Sequence, residues 1–327
     1  MNDGAAKLIE FIDTATNILL VSHRKPDADT IGAASFLKEY LKGIGKRSVL
    51  ACVDKPSPVF SFMPNVDQYV SEFDIAEFDL MIVLDAGASY MTNFHLKYEN
   101  FFNSAAKIVN IDHHASNDFF GDLNIVDSDA ASTTVVLYRI FKGLEIDFSA
   151  DMATCLLAGI YGDTGAFMHS NTSAEVYVIA ADLMNKGARV SEISQALFRN
   201  NNVSTLRLWG RALEKVNITD DGVVMSVLSE NDYMEVGANP EQASGVIDYL
   251  NMVPDTKFAV LVNEDNKGNV KGSLRARASD IDVSRIAAVF GGGGHAKASG
   301  FSIPGKLTQE IRYTIVSEDM SKKSLDF

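Results

Sequence analysis

Cysteine, basic residues and long apolar runs are the scarce features of this 327-residue sequence. Its two cysteines, Cys52 and Cys155, stand far apart and outside any Cys/His cluster, which argues against a disulfide framework and a zinc knuckle. We expect both to be buried apolar residues. Because no apolar run approaches the roughly 20 residues that span a bilayer, we expect no membrane partner.

The first four residues, Met1 to Gly4, contain no basic region followed by an apolar stretch, which predicts a cytoplasmic protein. Lysine and arginine number 29 against 43 acidic residues, so the formal net charge is −14. Such a surface repels long nucleic acid and argues against a protein that tracks along duplexes, whereas a short phosphorylated substrate is compatible with it. Carboxylates that hold cations would account for part of the acidic excess.

Composition and length indicate two globular domains. The chain has 46% hydrophobic residues and no low-complexity tract, and it exceeds the usual size of a single hydrophobic core. We predict an α/β catalytic domain over residues 1–190, a helical connector over 191–214, and a smaller α+β domain over 215–327.

Continuous apolar runs, which indicate strands buried on both faces, mark the first domain at 18–21, 48–53, 80–84 and 107–111. Helical patterns alternate with them and then cover 129–142, 150–161, 173–186 and 190–213. This alternation predicts a doubly wound, mainly parallel sheet, in which ligands bind beyond the carboxyl ends of the strands. In the second domain, the strand candidates are 223–228, 258–262 and 270–277, followed by a helix at 283–290.

Acidic and His-rich segments follow three of the strand candidates where each strand ends. They contain His23, Asp27 and Asp29 after the first strand, Asp85 after the third, and Asp112-His113-His114 after the fourth. A single strand-end Asp is more often a helix cap or a turn former. Here the carboxyl ends of neighbouring parallel strands would bring many carboxylates into one crevice, and a pair of divalent cations would turn their repulsion into coordination.

Imidazole and carboxylate ligands without thiolate suit Mn²⁺, with Co²⁺ and Mg²⁺ as alternatives, better than a structural zinc. Two such ions about 3.5–4 Å apart are the usual device for hydrolysis of phosphate esters. The residues therefore predict phosphoryl chemistry before any family is considered.

Two further sequence patterns extend the set: Gly162-Asp163-Thr164-Gly165, and Gly291 to His295 followed by Ala298-Ser299-Gly300. With the strand-end segments, the first pattern resembles the four ordered motifs of the DHH phosphoesterases. The second resembles the DHH-associated domain of the oligoribonuclease, or nano-RNase, branch. The resemblance implies hydrolysis of short RNA or DNA oligonucleotides, dinucleotides such as linear pApA, or 3′-phosphoadenosine 5′-phosphate. It also implies that a hydroxide shared by two metals attacks phosphorus.

The resemblance also implies roles for single residues. His23 and Asp27 would hold one metal, the other would be held by Asp29, His113 and Asp163, and Asp85 would bridge both. Asp163 is a ligand by resemblance alone, since Gly-Asp-Thr-Gly fits a helix-end Asp equally well.

Asp112 and His114 are the two remaining catalytic candidates. The resemblance implies that Asp112 orients a ligand imidazole and that His114 points to the scissile phosphate. The hydroxyls of Ser132, Thr133 and Thr134 would either line this site or cap a helix. His169 and Asn171 resemble a looser element of the family.

In the second domain, the resemblance implies that substrate is bound by Arg275, Arg277, Gly292, Gly293, Gly294 and His295. An arginine fork can donate two hydrogen bonds to a phosphate, and glycines let backbone N–H groups approach an anion closely. The structural alternative for the glycines is a tight turn between a helix and a strand.

Two other functions share part of this pattern. A pyrophosphatase or polyphosphatase has the motifs of the first domain, but the glycine-rich loop of the second domain argues against it. A catalytically silent nucleotide sensor would have lost some metal ligands, whereas this chain retains the full set. A homodimer is compatible with all three functions.

Overall fold

The structure, a computed structural model, describes residues 2–199, 201–278, 280–308, 310, 312–317 and 320–326, with the backbone alone at 2, 295, 312–317 and 320–326. The chain divides into two compact units, Met1–Asn200 and Asn201–Phe327, which we call the first and second units. Among the described helices, none is both long enough and apolar enough to cross a bilayer.

In its described part, the first unit is built on a five-stranded sheet with the strand order β2-β1-β3-β4-β5, in which all strands are parallel. The strands are β1 (Asn17–Ser22), β2 (Arg47–Ala51), β3 (Leu80–Leu84), β4 (Lys107–Asp112) and β5 (Leu123–Val126). The helices are α1 (Asn2–Thr14), α2 (Ala28–Gly43), α3 (Thr133–Gly143), α4 (Ala150–Asp163), α5 (Ala174–Asn185) and α6 (Val190–Phe198).

Successive residues of β1 point into two different cores. Ile18 and Leu20 pack among the α-helices, whereas Leu19 and Val21 belong to a second core on the opposite face. A sheet buried on both faces explains why its strands are continuously apolar, and the predicted α/β class is confirmed.

In the described part of the chain, the second face of the sheet is covered by 3₁₀ turns and loops rather than by α-helices. In the described part of the first unit, its core takes residues from 3₁₀ turns and loops and none from an α-helix, with Phe94 and Phe101 fully buried there. Asn93, at φ +57°, ends one 3₁₀ turn and begins the next, which prevents a longer helix from forming.

The helix predicted over 190–213 is interrupted. Helix α6 packs on the first-unit core through Ile193. Helix α7 (Val203–Glu214) begins after Asn202, whose side chain accepts a hydrogen bond from the backbone N of Thr205, and it packs on the second-unit core through Leu208. The segment assigned to the connector is therefore shared between the two units.

The described strands of the second unit form a six-stranded mixed sheet in the order β10-β11-β9-β8-β7-β6, in which only β7 and β8 run parallel. The strands are β6 (Asn217–Ile218), β7 (Val223–Leu228), β8 (Phe258–Glu264), β9 (Asn269–Ala276), β10 (Gly293–His295) and β11 (Ala298–Pro304). Helices α7, α8 (Glu230–Val236) and α9 (Val246–Leu250) pack on one face, and α10 (Val283–Val289) packs on the other. Strands β12 (Arg312–Ser317) and β13 (Met320–Asp326) form a separate two-stranded sheet. The mixed sheet with its packed helices confirms the predicted α+β class of this unit.

Candidate metal centre

The candidate ligands meet at the carboxyl edge of the first-unit sheet. His23 follows β1, Asp85 follows β3 and His113 follows β4, and these three strands are neighbours in the sheet. The six predicted ligands and His114 form three overlapping groups whose ligand atoms lie within 4.8 Å of one another. The groups are His23 with Asp27 and Asp85, Asp29 with His113 and Asp163, and Asp85 with His113 and His114.

The Asp85 carboxylate lies between the first two groups. Its Oδ2 is 3.5 Å from Nε2 of His23, and its Oδ1 is 3.6 Å from Nε2 of His113. The backbone of Asp85 is in the left-handed region at φ +58°, a conformation that costs about 1–3 kcal/mol for a residue other than glycine. Its N–H donates to the carbonyl of Ile111 at 3.0 Å, which joins this turn to β4.

In the first group, Asp27 is both a helix cap and a candidate ligand. Asp27 caps α2, because its Oδ1 accepts hydrogen bonds from the backbone N of Asp29 and of Thr30 at 3.0 and 3.1 Å. Its Oδ2 lies 3.8 Å from Nε2 of His23. The other nitrogen of His23, Nδ1, lies 2.8 Å from the carbonyl of Arg24, so Nε2 is the nitrogen that faces the carboxylates.

In the second group, Asp29 lies in the first turn of α2 and is fully buried. Its Oδ1 accepts hydrogen bonds from the backbone N and the hydroxyl of Thr134 at 3.0 and 2.7 Å, and its Oδ2 accepts one from the backbone N of Thr133 at 2.6 Å. The Thr133 hydroxyl donates to Oδ1 of Asp85 at 3.0 Å. Ser132 caps α3. The segment from Ser132 to Thr134 therefore both caps a helix and lines the site.

Asp163 ends α4 and its Oδ2 lies 3.3 Å from Nε2 of His113. Close packing of α4 on α2 brings it there, since a Cβ on Gly159 would lie 2.5 Å from Oδ1 of Asp29. The carbonyl of Asp163 is near Nδ1 of His169 at 3.1 Å and accepts a hydrogen bond from Asn171 at 3.3 Å. The looser family element therefore braces the backbone that carries Asp163.

Asp112 and His114 form a pair. The Oδ1 of Asp112 is 2.7 Å from Nδ1 of His114, whereas Nδ1 of His113 faces the carbonyl of Ala130 at 3.3 Å. The imidazole that Asp112 orients is thus that of His114, not that of the candidate ligand His113. We did not identify Asn117 from the sequence, yet its side chain donates to Oδ2 of Asp112 at 2.6 Å.

Burial and mutual repulsion disfavour the ionised forms of two carboxylates in this centre. Burial, followed by the charge of Asp85, raises the pKa of Asp29 to about 7. Burial and the charge of Asp29 raise the pKa of Asp163 well above its ordinary value. In the described part of the chain, no lysine or arginine nitrogen lies within 4.0 Å of either carboxylate. Divalent cations would relieve this conflict.

The pKa values of His23, Asp85 and Cys52 also depart from their ordinary values. Burial alone would lower the pKa of His23, but Asp27 and Asp85 raise it to about 12. Burial would raise the pKa of Asp85, but His23 and the neighbouring histidines hold it below its usual range. Burial raises the pKa of Cys52 to about 11, and its thiol donates a hydrogen bond to the carbonyl of His23 at 3.2 Å; Cys52 belongs to none of the three groups of ligand atoms. The donor set of carboxylates and imidazoles fits two divalent cations.

In the second unit, the candidate substrate residues lie on or beside β9 and β10, two strands that are separated in the sheet by β11. Arg275 of β9 is paired in register with Ala298 of β11, which is paired with His295 of β10. The Arg275 Nε donates to Oδ1 of Asp248 at 3.1 Å, and Arg277 follows β9 in an exposed position. The side chain of His295 lies outside the described residues.

The glycines of this loop differ in their surroundings. A Cβ on Gly292 would lie 2.2 Å from the carbonyl oxygen of Gly300, and one on Gly294 would lie 2.6 Å from that of Ala298. A Cβ on Gly293 would have no heavy atom within 4 Å. Two of the three glycines are therefore required by the β10–β11 hairpin itself.

Comparisons with known proteins agree with this architecture. Residues 17–160 match the DHH family N-terminal domain, and residues 220–318 match the DHHA1 domain. The bifunctional oligoribonuclease and PAP phosphatase NrnA of Thermus thermophilus is 30% identical over 289 residues, which are 88% of this chain and 84% of that protein. The protein of the same name from Bacillus subtilis is 28% identical over 301 residues, which are 91% and 92% of the two chains.

A solved structure shows the same fold. The crystal structure of an exopolyphosphatase-related protein from Bacteroides fragilis superposes with a TM-score of 0.86 and 24% sequence identity, covering 94% of this chain and 93% of that one. Both family domains thus occur in the order that the motifs suggested, one in each unit. The chain belongs to the DHH family of phosphoesterases, with a DHHA1 domain in its second unit.

Proposed function

We propose that this protein is a two-metal phosphoesterase that hydrolyses short oligonucleotides, dinucleotides of the linear pApA type and 3′-phosphoadenosine 5′-phosphate. The names of its relatives in Thermus thermophilus and Bacillus subtilis, oligoribonuclease and PAP phosphatase, support this substrate class. The net charge of −14 supports a preference for short over long polyanions.

The single observation that carries the proposal is the location of Asp85. Its two oxygens face two different histidines, at 3.5 Å from His23 and 3.6 Å from His113, and each histidine belongs to its own group of ligand atoms. A carboxylate between two ligand groups is the geometry that a shared, bridging ligand requires.

His23, Asp27 and Asp85 would hold one cation, and Asp29, His113 and Asp163 would hold the other with Asp85. When bound, the pair supplies Lewis acidity to the phosphate ester and to the attacking water. We favour Mn²⁺ over zinc because the donors are carboxylates and imidazoles, with no cysteine in any of the three groups of ligand atoms. The two threonines that bind Asp29 and Asp85 fix the orientation of those carboxylates.

His114 would act on the substrate itself. Burial alone would lower its pKa, but the hydrogen bond to Asp112 and the charge of Asp85 raise it to about 9. With Nδ1 bound to Asp112, its Nε2–H would donate to an oxygen of the scissile phosphate and stabilise the charge that develops there.

The second unit would bind the remote part of the substrate. Arg275, Arg277 and the loop from Gly292 to His295 supply guanidinium groups and backbone N–H groups, which suit phosphate. Support for this role comes from the row that Arg275, Ala298 and His295 form across three strands.

A Mn²⁺-supplemented hydrolysis panel tests the proposed function. It compares RNA and DNA dinucleotides, a series from 2 to about 30 nucleotides, cyclic di-AMP, 3′-phosphoadenosine 5′-phosphate, pyrophosphate and polyphosphate. We expect kcat/KM to be highest for dinucleotides, and to fall steeply beyond about five nucleotides.

The control is Asp85→Asn, which removes the charge but preserves the shape of the side chain, and we expect roughly a thousandfold loss in kcat on every substrate. A preference for pyrophosphate or polyphosphate would replace the proposal with an inorganic phosphatase. Binding of nucleotides without turnover of any substrate would indicate a sensor.

A further inference from the structure

Among the described residues of the first unit, some cationic side chains form neither an ion pair nor a hydrogen bond. Most of its lysines and arginines pair with carboxylates, such as Arg139 with Asp127 and Arg189 with Asp151. Within the ranges that the structure describes, five have neither an ion pair nor a side-chain hydrogen bond: Arg24, Lys25, Arg47, Lys55 and Arg199. In a chain with a net charge of −14, unpaired cations require an explanation.

Three of these five lie at one edge of the sheet. Arg24 and Lys25 stand in the β1–α2 loop between His23 and Asp27, and Lys55 stands in the loop that follows β2. Strands β1 and β2 are parallel neighbours, so both loops leave the carboxyl edge at which the candidate ligands meet. Because consecutive Cα atoms are about 3.8 Å apart, Arg24 and Lys25 are within roughly 8 Å of candidate ligands along the backbone.

The loop that carries Arg24 and Lys25 is held rigidly. The backbone N of Arg24 donates to the carbonyl of Met91 at 2.9 Å, and that of Lys25 donates to Oδ2 of Asp54 at 2.8 Å. Lys25 is in the left-handed region at φ +52°, a strained conformation for lysine that these bonds maintain. The bond to Asp54 also ties this loop to the one that carries Lys55, while all three charged side chains remain exposed.

We propose that Arg24, Lys25 and Lys55 form an anion subsite for a second phosphate of the substrate, adjacent to the phosphate that is hydrolysed. The inference rests on the proposed function and narrows its substrate class to nucleotides with at least two phosphates. Carboxylate ligands repel a polyanionic substrate, and unpaired cations on the neighbouring loops offset that repulsion where the next phosphate lies. A phosphate also accepts charge-assisted hydrogen bonds from both guanidinium and ammonium groups.

The test compares diadenylate without a terminal phosphate with diadenylates that carry a 5′-phosphate or a 3′-phosphate. All three contain the same internucleotide ester. The wild-type protein should hydrolyse at least one of the phosphorylated forms with a kcat/KM about tenfold or more above that of the unphosphorylated form. Arg24→Gln and Lys25→Gln should each lower kcat/KM for the preferred form about tenfold and leave the unphosphorylated form within about twofold.

Arg47→Gln is the matched control. It removes one exposed, unpaired charge at the start of β2, at the amino edge of the same sheet, about 13 Å from the carboxyl end of that strand at roughly 3.3 Å per residue. We expect less than a twofold change on all three substrates. Equal losses on all three substrates in Arg24→Gln, a loss in Arg47→Gln as large as that in Arg24→Gln, or no preference for a terminal phosphate in wild type would each overturn the subsite.

A binding measurement separates this inference from the proposed function. Diadenylate analogues with a methylphosphonate linkage, with and without a terminal phosphate, are not hydrolysed, and their affinities can be measured by calorimetry on Mn²⁺-loaded protein. The terminal phosphate should strengthen binding about tenfold in wild type and Arg47→Gln, but less than threefold in Arg24→Gln. If wild type hydrolyses none of the diadenylates, the proposed function fails. The calorimetric difference then still decides whether the subsite exists.

Discussion

Asp112 lies 2.7 Å from Nδ1 of His114 and is completely buried, so a charge inaccessible to solvent holds the second histidine of the DHH motif. Asn117 fixes the other oxygen of Asp112 and also donates to Oδ1 of Asn110 at 2.7 Å. The two histidines of the motif therefore differ in their contacts: His113 faces the candidate ligand Asp163, and His114 is held by Asp112.

Replacing Asp112 by Asn should lower kcat about 10- to 100-fold and change KM less than threefold, because His114 would lose the charge that raises its pKa. Bound Mn²⁺ should be unchanged. The comparison variant is Asp79→Asn, which removes a carboxylate that accepts backbone hydrogen bonds from Thr16 and Asn17 at the amino edge of the sheet. Loss of metal in Asp112→Asn would show that Asp112 serves His113 instead.

Gly159→Ala should disrupt the metal centre from the interior of α4. The new Cβ would lie 2.4 Å from the Thr134 hydroxyl and 2.5 Å from Oδ1 of Asp29, so both groups must move. We expect a loss of about 1–3 kcal/mol in stability and at least a tenfold weaker affinity for Mn²⁺, measured by denaturant unfolding and metal titration.

The matched substitution for Gly159→Ala is Gly210→Ala in α7, where a Cβ would meet nothing within 4 Å. That variant should gain up to about 1 kcal/mol from helix propensity and bind Mn²⁺ normally. Normal Mn²⁺ binding in Gly159→Ala as well would mean that α2–α4 packing does not position Asp29.

The metal-free protein should become less stable as pH rises. An unfolded Asp has a pKa near 3.9, whereas Asp29 has a pKa of about 7 in the fold, and Asp163 is shifted in the same direction. The folded state then binds more protons than the unfolded state between about pH 4 and 7, so the free energy of unfolding falls across this window.

In calorimetry, we expect the Tm of the metal-free protein to fall by more than about 5 °C between pH 5 and pH 7.5. Saturating Mn²⁺ should reduce the fall, and Asp29→Asn should flatten it because that side chain no longer titrates. A Tm that rises with pH in the metal-free wild type would contradict the burial of unpaired carboxylates.

Arg275→Ala should affect only substrates that the second unit binds. We expect a loss of roughly 30- to 1,000-fold in kcat/KM for a dinucleotide, but little change for a small activated phosphodiester that fills only the metal site. The control is Arg211→Ala, which removes a half-buried arginine of α7 that pairs with Glu235. Equal losses on both substrates in metal-replete Arg275→Ala would place Arg275 in the catalytic centre or in the fold.

Much of the fold follows from hydrophobic patterning. Strands β3 and β7 have the predicted bounds, 80–84 and 223–228, because β3 is a continuous apolar run and β7 is an apolar run interrupted only by Ser226. Parallel strands then explain why Asp85 and His113, 28 residues apart in the sequence, come within 3.6 Å of each other. The cover of the second face could not be predicted in the same way, since aromatic packing of 3₁₀ turns has no period of 3.6 or 2.

The finer structure of the site depends on backbone angles that the sequence does not encode locally. Which histidine reaches Asp112 depends on how the chain turns after β4, and two adjacent histidines give no signal for one over the other. A signal for the buried network does exist in Asn110, a polar residue in an otherwise apolar strand segment. The sequence does not reveal the boundary between the two units within 191–214. Helices α6 and α7 both have helical periodicity, and only a short Asn-rich segment separates them.

The most direct test of the two-metal account is anomalous diffraction at the manganese edge from crystals of active, Mn²⁺-loaded protein. A two-metal centre should give two peaks per chain. One should lie among His23, Asp27 and Asp85, the other among Asp29, His113 and Asp163, with a carboxylate oxygen of Asp85 within coordination distance of each. A single peak, or two peaks that do not share Asp85, in crystals of fully active protein would contradict it.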